Sequence, residues 1–559
     1  MTAGWRDPLP LRPGGLVLER AFTLHQRGRL REAEAAYQQL LRQSPKNAGV
    51  LHLLGLLTVQ KGQVARGIDL IRHAIDIDPK RFVAHRDLGN VLLQSGRFAE
   101  ALASYDLALA LKPDVAGIFD NRGTALRMLG RLQDALASHD RAIALDPKQA
   151  ITHVNRGSAL GRLNRFSEAL ESFDRAIALD RSLALAHSNR GGALHRLERF
   201  AEALESHDRA IALAPKLAQA HITRGQTLAE LGRYAEALEA FDQALALDPQ
   251  SAEAQFEKAT ALLITGRFRE GWQAYEARRR RVAANAFHPQ GRPQWTGRQD
   301  IAGKTLFIEG EQGLGDMIQF CRYAPLCADL GSRVILTARE SQVRLLQGLD
   351  PRIDVRPAAD RPADFDFHIP LMSLPMAFDA GQEGFAARTP YLRAQAEQVE
   401  LWRNRLGGEG FKIGICWQGG PGNAARSFPL SALKEIAARP GVRLISLQRA
   451  AESGQLHASP MNVETLGEDY DAGAHGFLDA AAVMATMDLI ISCDTSLAHL
   501  AGALGRPVWV ALKFAPDWRY LTGREDCVWY PTMRLFRQDR PSDWQSVFSK
   551  MKARLDLAG

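Results

Sequence analysis

The chain has 559 residues, so several domains are expected rather than one core. Its 46% hydrophobic and 24% charged content is ordinary for a globular protein. A net charge of +7, spread along this length, does not call for a nucleic-acid partner. The first residues, MTAGWRDPLPLRPGG, carry Pro and charge where a signal peptide needs an apolar stretch. No apolar run approaches membrane-spanning length, so a soluble, cytoplasmic protein without an integral membrane segment is expected.

Next along the chain comes a period of 34. Pro recurs at 45, 79, 113, 147, 215 and 249, interrupted by Arg181. Gly recurs at 55, 89, 123, 157, 191 and 225, and Ala259 continues the column. A second small-residue column runs from Ala33 through Gly67, Ala101 and Ala135 to Gly271. An aromatic or His column includes Tyr37, Tyr105, His139, Phe173, His207, Phe241 and Tyr275. The small residues let two helices of a hairpin cross closely, and Pro ends each second helix. Gly28, Gly62, Gly96, Gly130, Gly232 and Gly266 suit the turn between helices, where positive φ costs Gly least. These columns closely resemble the tetratricopeptide consensus and predict about eight units over residues 14–285, an all-α superhelix with a concave face.

In that register the residue two before the conserved Gly faces the groove. The column reads Asp87, Asn121, Asn155, Asn189, Thr223. An Asn ladder can donate and accept hydrogen bonds to a peptide backbone without reading its side chains. Similar ladders occur in the repeat arm of protein O-GlcNAc transferases, which this half resembles, so Asn121, Asn155 and Asn189 are candidate contacts to a protein or peptide acceptor. The neighbouring Arg122, Arg156 and Arg190 either favour acidic ligands or pair with Asp and Glu of adjacent helices. The run Arg278 to Arg281 closes the last helix, where basic residues suit the dipole.

Past residue 285 the period stops. Residues 286–300 are Pro- and Gly-rich and read as a linker. Short apolar runs then alternate with helical patterns. KTLFIEG, SRVILTA, DFDFHIPL, FKIGICW, VRLISLQ, MDLIISC and RPVWVAL read as strands, which predicts parallel α/β structure. The strands divide near residue 396 into two Rossmann-like lobes, 301–395 and 396–559, with ligands expected at the strand C-terminal ends. All five cysteines lie in this half, without metal spacing, and read as reduced thiols. The Asp76/Asp78 and Asp364/Asp366 pairs read as structural, and no metal site is expected.

Three segments carry candidate chemistry. The first, Glu309 to Asp316, follows the first strand; Gly313 and Gly315 permit close backbone approach and Asp316 starts a helix. The second, Cys416 to Ser427, is a Gly-rich loop after the first strand of the second lobe, and its Arg426 offers a planar fork to a diphosphate. In the third, Ser492 to Val508, a strand ends in Asp494-Thr495-Ser496 and a helix begins, with His499 one turn on.

Together these segments resemble glycosyltransferase family 9, the heptosyltransferase-like enzymes of the GT-B fold. Gly-Leu-Gly-Asp (residues 313–316) matches the N-lobe motif, and DTSLAHLAGALGRP (residues 494–507) matches the C-lobe motif, with Ser496 in place of the usual Gly. The resemblance implies an inverting, metal-independent sugar transfer from a nucleotide-diphosphate donor, with no further cofactor. It implies Asp316 as general base, and Gly313, Gly315, Trp417, Gln418, Arg426, Asp494, Thr495, Ser496 and His499 on the donor side. Trp518 could stack on a base or a sugar, or simply pack. The alternative is a scaffold whose transferase-like lobes have lost catalysis and bind a nucleotide or a partner.

Overall fold

The computed structural model describes residues 15–281, 291–311, 313–381, 385, 389–420, 425–449, 454–457, 459–472 and 476–557. Gln312, residues 421–424 and part of the expected linker therefore lie outside the described residues. The chain divides into two compact units, Met1–Thr223 and Arg224–Gly559.

The first unit is a succession of helical hairpins: Gly15–Gln26 with Leu30–Gln43, Ala48–Gln60 with Val64–Ile77, Phe82–Gln94 with Phe98–Leu111, and three more ending at Leu213. The two repeating columns fit each other. A Cβ on Gly89, Gly123, Gly157 or Gly191 would come within 2.4–2.6 Å of the ring of Tyr105, His139, Phe173 or His207. The ring from the second helix thus lies directly on the glycine of the first. Gly28, Gly62, Gly96 and Gly130 adopt positive φ at the turns, and Asn164 (φ 60°) and Glu198 (φ 59°) take the same conformation where the column lacks Gly. One local bond recurs at Arg181 as it does at the prolines. His85 and His153 donate to the carbonyls of Pro79 and Pro147 (2.9 and 3.2 Å), and His187 donates likewise to that of Arg181 (3.2 Å).

The second unit opens with further helices of the same kind, Tyr234–Leu247, Ala252–Ile264 and Phe268–Tyr275, then a short turn of helix, Arg278–Arg281. A four-stranded sheet follows: β1 (Thr305–Glu309), β2 (Arg333–Ala338), β3 (Ile353–Pro357) and β4 (Phe367–Pro370), all parallel in the order β3-β2-β1-β4. Six further parallel strands form the second sheet: β5 (Phe411–Cys416), β6 (Val442–Ser446), β7 (Val463–Glu464), β8 (Leu489–Cys493), β9 (Val508–Leu512) and β10 (Met533–Arg537). Their order, β10-β9-β8-β5-β6-β7, is the doubly wound Rossmann order.

Three strands escaped the sequence reading. β3 and β10 lie at sheet edges and carry charged residues among their apolar ones, and β7 has two residues. The continuous apolar signal belongs to strands covered on both faces. The end of the expected linker also belongs to a lobe. Trp295 is buried, its N–H donates to the His368 carbonyl (2.9 Å), and Gln294 bridges in parallel to His368, so residues 293–295 extend the edge beside β4. The helix Phe268–Tyr275 is likewise fused to the lobes. Trp272 packs against Phe320, Trp518 and Trp529 with ring centroids 5.3–6.4 Å apart. No helix among the described residues is long and apolar enough to cross a membrane.

Candidate active site

In a doubly wound sheet the ligand crevice opens where strand order reverses. In the six-stranded sheet that point lies between β5 and β8, which pair through Ile413–Cys416 and Leu489–Ser492. The loop after β5 and the Asp494-Thr495-Ser496 turn after β8 therefore meet there. The backbone of the first is pinned by a buried side chain that the sequence reading overlooked: the N–H groups of Trp417 and Gln418 both donate to Oε1 of Gln448 (2.8 and 2.9 Å). Gly419 N–H donates to Ser427 Oγ (3.0 Å).

Arg426 ends this loop and reaches two carboxylates, Asp494 at 3.0 Å and Asp517 at 3.2 Å. Tyr520 donates its hydroxyl to Asp494 (2.9 Å). Asp517 in turn accepts from Arg519 (2.7 Å), and Arg519 also donates to Gln319 (2.7 Å) and to Asp316. The other oxygen of Asp316 accepts from Gly313 N–H (2.9 Å). A chain of alternating charge, Asp494, Arg426, Asp517, Arg519, Asp316, thus runs from the six-stranded lobe to the four-stranded one. Three carboxylates and two guanidiniums leave it at −1 when all are ionised. Burial pushes the Asp494 carboxyl up, and Arg426 only partly offsets this. For Asp517 burial acts the same way, but Arg519 and Arg426 outweigh it and the net direction is downward.

His499 is buried, with Nδ1 3.2 Å from the Tyr530 hydroxyl and its ring parallel to that of Tyr520 (16° between planes). Burial, then the nearby Arg519, lowers its pKa to about 3, so it is neutral at physiological pH. Thr495 precedes the helix Ser496–Ala503, and its hydroxyl turns back to Ser492 Oγ (3.1 Å) and Cys416 Sγ (3.7 Å) instead of capping that helix. It thereby ties the ends of β5 and β8 together. Ser496 is half-buried at the first turn.

Several expected contacts fall elsewhere. The Trp417 side chain is fully buried in the core beneath the six-stranded sheet and presents no surface to a donor; strand alternation sends it inward. Only its backbone and the exposed Gln418 border the loop. Gly315 makes a close approach to protein: a Cβ there would meet His499 Cδ2 at 3.0 Å, so the glycine lets the helix Leu314–Phe320 pack on Ser496–Ala503. Gly313 is exposed, and its nearest neighbour is the Asp316 carboxylate. Trp518 is buried against Trp272 and Tyr275, with the Arg519 guanidinium 4.2 Å from its ring centroid, so packing is its role. The sequence already suggests that residues 514–519, after the last expected strand, line the cleft, but it gives no role to Asp517 or Arg519 and does not reach Tyr520, because the segment matches no motif.

In the first unit the Asn column joins successive repeats. Asn121 donates to Asn90 (2.9 Å), Asn155 to Asp120 (3.0 Å) and Asn189 to Ser158 (3.3 Å). Each side chain is half-buried. The Arg column pairs with neighbouring helices, Arg122 with Asp106 (2.7 Å) and Ser138 (2.7 Å), Arg156 and Arg190 with equivalent partners.

Comparison with known proteins agrees with both halves. Tetratricopeptide repeat models match residues 20–82, 84–150, 150–183, 182–250 and 222–286. The model for glycosyltransferase family 9 (heptosyltransferase) matches residues 439–513. The chain joins tetratricopeptide repeats to a glycosyltransferase family 9 segment. That segment spans β6 to β9 and contains Asp494, Thr495, Ser496 and His499; Asp316, Gly313, Gly315, Trp417, Gln418 and Arg426 lie outside it. Protein FlbA of Caulobacter vibrioides is 29% identical over 290 residues, 47% of this chain and 48% of that protein. The match thus spans about half the length of this relative. Among solved structures, a tetratricopeptide repeat protein from Parabacteroides merdae is 15% identical, with a TM-score of 0.38 over 44% of this chain and 98% of its own. YrrB, a tetratricopeptide protein described as having an unusual peptide-binding site, is 23% identical with a TM-score of 0.29, covering 34% of this chain and 97% of its own.

Proposed function

We propose that this protein is a glycosyltransferase that moves a sugar from a nucleotide-diphosphate donor to a protein acceptor recruited by its repeats. The observation that carries the reading is the family 9 segment seated on a Rossmann-ordered sheet, with the Asp494-Thr495-Ser496 turn and Arg426 at the switch point and Asp316 linked to them through Arg519. In the reaction an acceptor hydroxyl oxygen attacks the anomeric carbon, its proton passes to Asp316, and the bond from that carbon to the diphosphate oxygen breaks. Inversion follows from a single displacement. Each Asp316 oxygen already accepts one hydrogen bond, but a carboxylate offers about four acceptor sites, so proton transfer remains open to it. Arg426 meets the leaving diphosphate by exchanging one of its two carboxylate partners for phosphate oxygen. The helix Ser496–Ala503 points its first N–H groups at the same place. The cytoplasm, where nucleotide sugars are at hand, is the compartment that suits this reading.

A second reading, a scaffold that binds without turnover, has one observation in its favour: both arginines of the site are already paired with carboxylates. Incubation with a panel of nucleotide sugars and cell lysate separates the two. Transfer that disappears in Asp316→Ala supports the enzyme. Nucleoside-diphosphate binding with no transfer supports the scaffold, and transfer undiminished in Asp316→Ala removes that residue as the base.

A further inference from the structure

The four-stranded sheet has its own switch point, between β1 and β4, where its strand order reverses. The crevice beyond the ends of these two strands is filled by a side chain from the repeat half. Arg278, 3% exposed, follows the last repeat helix and enters it. Its guanidinium donates to Glu311, just past β1, at 2.5 Å, and to Ser373, just past β4, at 2.8 Å. It also donates to Glu276 of its own segment (2.7 Å), which accepts from Ser373 Oγ (2.7 Å). Glu311 accepts in addition from the N–H of Met372 (3.0 Å). One arginine therefore clamps the loops after β1 and β4. Burial alone would lower its pKa, but Glu311 and Glu276 outweigh that, and the charge is secure.

The clamped loop is the one that carries the candidate base. Glu311 lies five residues before Asp316, whose carboxylate is tied to Gly313 between them. A second route leads to the same carboxylate: the ring of Tyr275, 5.3 Å from the Arg278 guanidinium, packs on Trp518, which stacks with Arg519, the partner of Asp316. Both routes start in the final repeat.

We propose that Arg278 is a positioning residue of the transfer site, holding the Glu309–Asp316 loop in register so that the last repeat is part of the catalytic apparatus. This rests on the transferase reading. Where the sequence suggested a helix-terminal basic run, the first of its four arginines is a buried strut. A base displaced by even about 1 Å can cost two orders of magnitude in rate, so the support of this loop has kinetic weight.

The test uses the full chain with Arg278→Met, which keeps the stem and removes the charge, and Glu311→Gln, which disarms the other side of the contact. Arg278→Met is expected to lower kcat about tenfold or more, while KM for the nucleotide sugar and the nucleoside-diphosphate Kd stay within about twofold. Arg278→Lys should recover part of the loss. The double variant should be little worse than Arg278→Met alone, because loss of the arginine already removes its contact with Glu311. Hydrogen exchange at residues 309–317 should quicken in both single variants. Unchanged protection there, or additive losses in the double variant, would overturn the proposal. A wild-type protein that transfers no sugar defeats the transferase reading instead, since the exchange measurement needs no turnover. Should Arg278→Met fail to fold, Glu311→Gln carries the kinetic and exchange comparisons alone.

Discussion

Two glycines of one repeat separate backbone strain from crowding. Gly130 sits at a turn with φ 78° and open space around a notional Cβ. Gly123 is helical, but a Cβ there would lie 2.6 Å from the His139 ring. Gly130→Ala should cost about 1 kcal/mol, the penalty of a left-handed L-residue. Gly123→Ala should cost about 1–3 kcal/mol, because a packed ring must move. Urea midpoints followed by circular dichroism rank the two, and equal losses would contradict the distinction. His499 makes a prediction about pH. Its folded pKa near 3 lies below the unfolded value of 6.5, so the folded state binds fewer protons. The stability this group contributes is complete above pH 6.5 and declines as pH falls from there towards 3. Between pH 7.5 and 5 the loss should be about 2 kcal/mol, and His499→Gln should flatten that part of the acid limb of a melting-temperature profile. At this scale the motif residues were legible in the sequence, whereas their surroundings were not. Nothing in the order Asp517-Trp518-Arg519 says that Arg519 joins Asp517 to Asp316, 201 and more positions away.

Among elements, the repeats were read accurately because a strict period reports on itself. Every hairpin meets the same neighbours, so each position carries one constraint, repeated. The groove column is an instructive exception. Asn155 donates to Asp120, which also accepts from buried His139 (2.8 Å). Removing it leaves a buried carboxylate short of a donor. Asn155→Ala should therefore destabilise the array by about 1–3 kcal/mol, visible in thermal unfolding without any ligand. A binding experiment with Asn121, Asn155 and Asn189 all replaced must be corrected for that loss. An unchanged melting curve would show that the ladder does not join the repeats. The strands divide by the same logic. Central ones such as β5 and β8 are buried on both faces and mostly apolar, and they declare themselves. The edge strand β10, MRLFR, mixes charge with apolar residues, and its pairing with β9 is a tertiary fact.

At the level of the whole molecule, the division of the sequence into repeats and lobes is not the division into compact units. The second unit begins at Arg224, inside the repeats. Phe268, Trp272 and Tyr275 share one core with Phe320, Trp518 and Trp529 of the lobes. A fragment of residues 291–559 should expose that aromatic surface, bind a hydrophobic dye and aggregate. A fragment of residues 218–559, which keeps the last two hairpins, should melt cooperatively. Cooperative melting of the shorter fragment would show that the lobes do not need the repeats.

The sequence by itself determined the number and register of the hairpins, the alternation of strands and helices, and the family motif at the end of β8. These are set by periodicity, turn residues and short local motifs, all of which act over a few tens of residues. Only the tertiary structure decided that Trp417 points into a core, that Gly315 packs against His499, and that Arg278 reaches the loop of Asp316. Those outcomes depend on which surfaces meet after the chain has folded. A contact such as Arg519 with Asp316 leaves no mark on either local sequence, because charge pairs of this kind are selected by geometry across lobes and not by spacing along the chain.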